Sequence, residues 1–272
     1  MNIAISLEEN MDQQEVLVER QGHVMIVTIN RPEARNAVNE AVCLGVGDAL
    51  AEAEQDREVR VLVLTGAGDR AFCAGADLKA LARGERIIPE GREAWGLAGF
   101  VGHPISKPTI AAVNGSALGG GTEIVLASDL AVAAETAVFG LPEVRRGLVA
   151  AAGGAFRLVR QVPPRVGLEL LLTGEPVTAA RALELGLVNR VVPADRVLEE
   201  AVALAETIAA NAPLSVQASK RIALGLRDGG RPAEAAPWEL TAKETAAVLA
   251  SQDAAEGPLA FAEKRDPVWQ GR

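Results

Sequence analysis

The chain contains no tyrosine, and aromatic residues make up only 3 % of its 272 positions. Stacking of bases on aromatic side chains is therefore a poor route to recognition. The formal charge of −9 also lacks the basic excess that displaces phosphate counterions, so nucleic acid is not expected as a partner. Cysteine is reduced to Cys43 and Cys73 and no secretory leader pattern is read at the N-terminus. Both features speak for a reducing compartment, the cytoplasm by default. With only His23 and His103 and no paired Cys/His spacing, a metal site has little to draw on and none is expected. Apolar runs such as TIAAVNGSALGGG are interrupted by glycine and polar residues well short of the ~20 residues that cross a bilayer, so no membrane span is expected.

What is present is aliphatic. Hydrophobic residues are 49 % of the chain and charged ones 23 %, so a large core has to be built from Ala, Val, Leu and Ile. Strand-like and helix-like stretches alternate, which predicts an α/β protein. Residues 15–19 and 24–30 read as a hairpin ended by Arg31-Pro32. Asn39 is placed to cap a helix whose Val42, Val46 and Leu50 recur every four positions, and VLVLTG (61–66) reads as a buried strand ending in a turn. A second β-α-β unit uses TIAAVNG (109–115) and a helix opening at Gly119, Gly120 and Gly121. After the strand DLAVAAE (129–135) and FGLPE (139–143) the sheet is expected to be complete. The remainder reads as helical, with an apolar stripe of Leu198, Ala201, Val202, Ala205, Ile208 and Ala209 and a further helix from Pro213 to Leu224 stopped by Gly225. RDGGRPAEAAP (227–237) reads as a loop. The expected organisation is an extension over 1–12, a core carrying the active site over 13–195, and a helical oligomerisation region over 196–272.

Two segments place glycine where a strand gives way to a helix, the usual place for ligands in α/β folds. In FCAGADLK (72–79), Gly75 leaves the N–H of Ala76 approachable; in NGSALGGGTEIVLASDL (114–130), the glycines sit at a helix start, where free N–H groups favour an anion. Taken alone, each segment is more simply a tight turn with close helix packing. Glu123 can be a first-turn acid complementing the helix dipole, and Glu143 a solvated loop acid. No nucleophile elbow, phosphate loop or dinucleotide fingerprint is present.

Together, these segments resemble the crotonase, or enoyl-CoA hydratase/isomerase, superfamily. The resemblance runs from about Val16 to Arg265 and includes NRPEARNAVN (30–39), KPTIAAVNGSALGGGTEIVLASDL (107–130), FGLPEVRRGLVAAAGG (139–154), LTGEPVTAARALELGLVNRVV (172–192) and EGPLAFAEKR (256–265). It implies a ββα spiral core with a C-terminal helical region and an acyl-coenzyme A thioester as substrate, with no cofactor beyond that coenzyme. It further implies that the N–H groups of Ala76 and Gly120 grip the thioester oxygen, with Glu123 as the base activating water and Glu143 as the acid protonating the α-carbon. By the same resemblance, the nucleotide lies near Ala34, Arg35 and Ala37, and the pantetheine along Ala74, Ala76, Asp77, Leu78 and Lys79, with Asp77 itself structural. Phe261 and Lys264 close over the nucleotide, often from a neighbouring subunit, which implies a homotrimer or a dimer of trimers.

The activity implied is enoyl-CoA hydration. A Δ3-Δ2 enoyl-CoA isomerase, a crotonobetainyl-CoA hydratase-like enzyme and a catalytically weak acyl-CoA-binding protein are the alternatives. Ala151 stands where dienoyl isomerases carry Asp, which disfavours that branch, and Ala150-Ala151 replaces the Pro-Gly or Pro-Asp of many hydratases. The stretch Ala80 to Gly102, which would shape the acyl pocket, is the part least like the family.

Overall fold

The computed structural model describes residues 14–227 and 230–272, so the expected extension over 1–12 lies outside the described residues. Strands β1 (Val16–Gln21) and β2 (Val24–Ile29) form the expected hairpin, Val16 opposite Ile29. Helix α1 (Glu40–Gln55) follows, and the Asn39 side chain accepts the N–H of Val42 as its cap; Val42, Val46 and Leu50 are buried. Strand β3 (Val61–Gly66) is buried along its whole length, as a parallel strand covered on both faces should be.

From β3 onward the chain winds as a spiral between two sheets. Strand β4 (Ala71–Cys73) leads to the short helix α2 (Leu78–Ala82); β5 (Thr109–Val113) and β6 (Ser116–Leu118) lead to α3 (Gly120–Ala127); β7 (Leu130–Ala134) and β8 (Val138–Gly140) lead to a 3-10 turn at Pro142–Arg146. Helices α4 (Gly154–Gln161) and α5 (Pro164–Thr173), strand β9 (Val177–Thr178), helix α6 (Ala179–Glu184) and strand β10 (Arg190–Val192) come next. The larger sheet has the order β1-β2-β3-β5-β7-β10 and the smaller β4-β6-β8-β9. Each of the first three turns deposits one strand in each sheet and then a helix or, in the third, the 3-10 turn. Helices α2 and α3 and the Pro142–Arg146 turn therefore start where strands of the smaller sheet end, and the candidate site forms there.

The sheet is not complete after residue 143. Strand β10 pairs in parallel with β7, Arg190 opposite Val132, and β9 pairs antiparallel with β8. Strands of two or three residues carry no readable alternation, and only their partners define them. Helix α7 (Val197–Ala209) lies across β3, β5 and β7. Its buried face is Val197, Ala201, Val202, Ala205 and Ala209, whereas Leu198, expected in the stripe, is 41 % exposed. Helix α8 (Pro213–Leu224) starts and stops where expected. Residues 227–237 are only partly loop, because a 3-10 turn at Pro232–Glu234 runs into α9 (Ala235–Leu249), which precedes α10 (Gln252–Glu263). Among the described residues, no helix is long and apolar enough to cross a membrane.

Candidate active site

Gly75 and Gly120 bring two backbones together. A methyl group on Gly75 would stand 2.9 Å from the Gly120 nitrogen, and one on Gly120 would stand 3.0 Å from the Gly75 Cα, so neither position has room for a side chain. Val38 forms a parallel bridge around Ala76: its N–H donates to Gly75 O at 2.8 Å and its carbonyl accepts from Asp77 N at 2.8 Å. In such a bridge the central residue's own N–H faces away from the partner strand. That leaves the Ala76 N–H free of Val38. Gly120 is the first residue of α3, where an N–H has no acceptor within the helix. Among the described residues, neither N–H has a protein acceptor. The Leu97 side chain occupies the space beside the Gly120 Cα.

Helix α3 is buried along its whole length, and Glu123, in its first turn, is only 3 % exposed. Its Oε1 accepts the N–H of Gly154 at 2.9 Å. Gly153, at φ +99°, turns the chain so that α4 begins there. Glu143 sits in the 3-10 turn, partly buried rather than solvated. A methyl group on Gly119 would lie 3.0 Å from its Oε1, and its Oε2 is buried without a partner among the described residues. The two carboxyl groups thus flank the start of α3.

Burial, joined by the negative charge of Glu143, pushes the Glu123 carboxyl up to about 8 against the pull of the Gly154 and Ala152 N–H groups and of Arg157. Burial also pushes Glu143 up to about 7. At neutral pH the two carboxyls therefore hold roughly one proton between them, and the titration belongs to the pair. Burial order alone leaves that proton on Glu123. The Gly154 N–H at Glu123 Oε1 offsets part of that preference, so the proton can pass to Glu143, whose Oε2 has no partner among the described residues.

The segments expected to hold coenzyme A lie side by side, since Ala74 N donates to Arg35 O at 3.1 Å. Ala74, Leu78, Lys79 and Arg35 are exposed along this edge, Ala34 is half-buried and Ala37 is buried. Asp77 is committed elsewhere: it caps α2 by accepting from Lys79 N and Ala80 N and pairs with Arg31 at 2.9 Å. Phe261 and Lys264 are exposed at the end of α10, which packs within this chain on the Glu143 turn and on α9. The Arg146 guanidinium covers the Phe261 ring at 3.8 Å.

The sequence pattern of the enoyl-CoA hydratase/isomerase family matches residues 19–272. The chain belongs to this family. Carnitinyl-CoA dehydratase of Salmonella typhimurium is 42 % identical over 262 residues, 93 % of this chain and 97 % of that one. The crystal structure of carnitinyl-CoA hydratase from Mycobacterium avium is 62 % identical with a TM-score of 0.95, covering 96 % of this chain and 100 % of the other. Enoyl-CoA hydratase from Mycobacterium tuberculosis is 47 % identical with a TM-score of 0.74 over the same shares. The α/β spiral is thus the crotonase fold.

Three contributors were not singled out from the sequence. Gly154 holds Glu123, Leu97 covers Gly120, and Arg157 lies close enough to Glu123 to favour its ionised form. The glycine pair ending VAAAGG was the available signal for the first. Nothing local marks the other two.

Proposed function

We propose that the protein hydrates the 2,3 double bond of an enoyl-CoA thioester. The observation that carries this reading is that two glutamates whose carboxyls burial pushes upward flank the start of α3, where the N–H groups of Ala76 and Gly120 have no protein acceptor among the described residues. In the proposed reaction, the two N–H groups donate to the thioester oxygen as charge builds on it. Each such donor contributes roughly 3 to 4 kcal/mol to the enolate-like transition state. Glu123, held by Gly154, takes a proton from water as the oxygen adds to carbon 3. Glu143 delivers its proton to carbon 2. Reversal of these steps is dehydration of a 3-hydroxyacyl-CoA. The coenzyme belongs to the substrate; its nucleotide would lie over Ala34, Arg35 and Ala37 and its pantetheine along Ala74 to Lys79.

The identities with carnitinyl-CoA enzymes favour a second, narrower reading, in which the acyl group is the crotonobetainyl type. Assembly as a homotrimer or dimer of trimers belongs to the same proposal. In it, Phe261 and Lys264 of one subunit close over a neighbour's nucleotide, the region 196–272 mediates contact, and the enzyme works in the cytoplasm. The exposed Leu214, Ile222, Leu240 and Leu249 support such a contact.

The test is turnover in oxygen-labelled water. Hydration of crotonyl-CoA or crotonobetainyl-CoA incorporates one labelled oxygen, and the ratio of kcat/KM between them decides the acyl class. Glu123→Gln and Glu143→Gln should each slow it by orders of magnitude. Double-bond migration without label would make the protein an isomerase. Equal inactivity of all three proteins with retained acyl-CoA binding would reduce it to a binding protein.

A further inference from the structure

The 3-10 turn that carries Glu143 has little of its own to hold it. Leu141 before it supplies no side-chain cap, and the turn is closed by the Glu143 carbonyl, which accepts the N–H groups of Gly147 and Leu148. Its place is set by what packs against it from outside. On one side, a methyl group on Gly174, at the end of α5, would stand 2.9 Å from the Arg145 side chain and 3.3 Å from the Pro142 Cα. On the other side lies α10. A methyl group on Gly257 would collide with Arg146 O, and one on Gly147 would collide with Asp253 O and stand 3.2 Å from Cζ3 of Trp269.

Trp269 reaches Gly147 because the chain doubles back. Lys264, at φ +56°, ends α10 in the left-handed conformation, and residues 265–272 return along the helix to its first turn. Two acids of α10 tie them down. Glu256 accepts from Nη1 and Nη2 of Arg265 at 2.5 and 2.8 Å and from Val268 N at 2.8 Å. Asp253 accepts from Gln270 N at 2.6 Å and Gly271 N at 2.9 Å, and Gln252 N donates to Arg272 O at 2.7 Å. Trp269 lies between these anchors. At 44 % exposure its ring is not kept in place by burial; the backbone on both sides keeps it there.

We propose that residues 265–272 form a strap that positions Glu143 for proton delivery, with Trp269 against Gly147 as its point of contact. The inference rests on the hydratase reading. Trp269 is a positioning residue, acting through the turn: a turn free to rotate carries the carboxyl off carbon 2, and a displacement of about 1 Å at a reacting group can cost about 10²-fold in rate.

The test compares the full-length protein with Trp269→Ala, Trp269→Phe and Asp253→Ala, the last removing the acceptor of Gln270 and Gly271 while leaving the ring. Trp269→Ala and Asp253→Ala should each lower kcat for the enoyl-CoA that the protein turns over by about tenfold or more with KM within about twofold, and Trp269→Phe should restore most of it. A loosened turn also admits water to Glu143, whose carboxyl burial pushes up to about 7, so the acidic limb of the pH–rate profile should move to lower pH by about half a unit or more. By hydrogen exchange, the amides of Gly147 and Leu148 should open at least about fivefold faster in both variants. Wild-type rates in both, a fall in kcat with the acidic limb fixed, or no rescue by phenylalanine would each overturn the proposal. Should Trp269→Ala fail to fold, Asp253→Ala and Trp269→Phe decide. Exchange separates the two readings: faster opening in the variants of a protein that hydrates no enoyl-CoA sinks the hydratase reading and supports the strap, whereas unchanged exchange beside an active wild type sinks the strap alone.

Discussion

Replacing Glu123 by glutamine should stabilise the protein in a pH-dependent way while abolishing hydration. Glu123 rises from an ordinary 4.5 to about 8 in the folded chain, chiefly by burial. Below about pH 4.5 both folded and unfolded chains carry the proton, and the residue contributes nothing to the pH dependence. As pH rises further, the unfolded chain releases that proton freely whereas the folded chain keeps it until about 8, so folded stability falls. At about 1.36 kcal/mol for each pH unit, the loss reaches about 3 kcal/mol at pH 7 and about 5 kcal/mol above pH 8. Glutamine has nearly the same volume, its carbonyl can still accept the Gly154 N–H, and it does not ionise. Urea unfolding at one fixed protomer concentration, repeated from pH 5 to 8.5, should therefore show the two proteins diverging steadily, with the variant ahead by about 3 kcal/mol at pH 7. Parallel stability curves, or a variant that loses ground as pH rises, would refute the claim that a buried, proton-holding carboxyl is placed here.

Since hydration needs one proton on the pair, kcat/KM for a short enoyl-CoA should be bell-shaped. It should fall below about 7 as both carboxyls protonate and above about 8 as both ionise, as a pH–rate profile would record. Gly120→Ala should lower kcat by about 10²–10³-fold with the fold retained by circular dichroism, because the added methyl collides with Leu97 and Gly75 and shifts the N–H. Glu234→Ala should cost about 3–5 kcal/mol in chemical denaturation by leaving the Arg157 charge buried without its partner. The double change Arg157→Met with Glu234→Met should recover most of that loss.

Local chemistry was enough for the elements that announce themselves. Asn39 before a four-residue apolar repeat, Pro213 opening and Gly225 closing a helix, and the unbroken VLVLTG each state their conformation within a few residues. The ordered motifs around Ala76, Gly120, Glu123 and Glu143 were sufficient to name the superfamily. Three kinds of feature were not legible. Strands β9 and β10 are two and three residues long, and only pairing with β8 and β7 makes them strands. Leu198 fits an apolar stripe by spacing, yet it is the phase of α7 across the sheet that leaves it exposed. Arg157 and Glu234 stand 77 positions apart and become a buried pair only when the turn before α9 folds onto α4. The sequence thus determined which groups are available for chemistry. The tertiary structure decided their protonation, because desolvation and the approach of Glu143 to Glu123 are properties of the packed spiral and of no local segment.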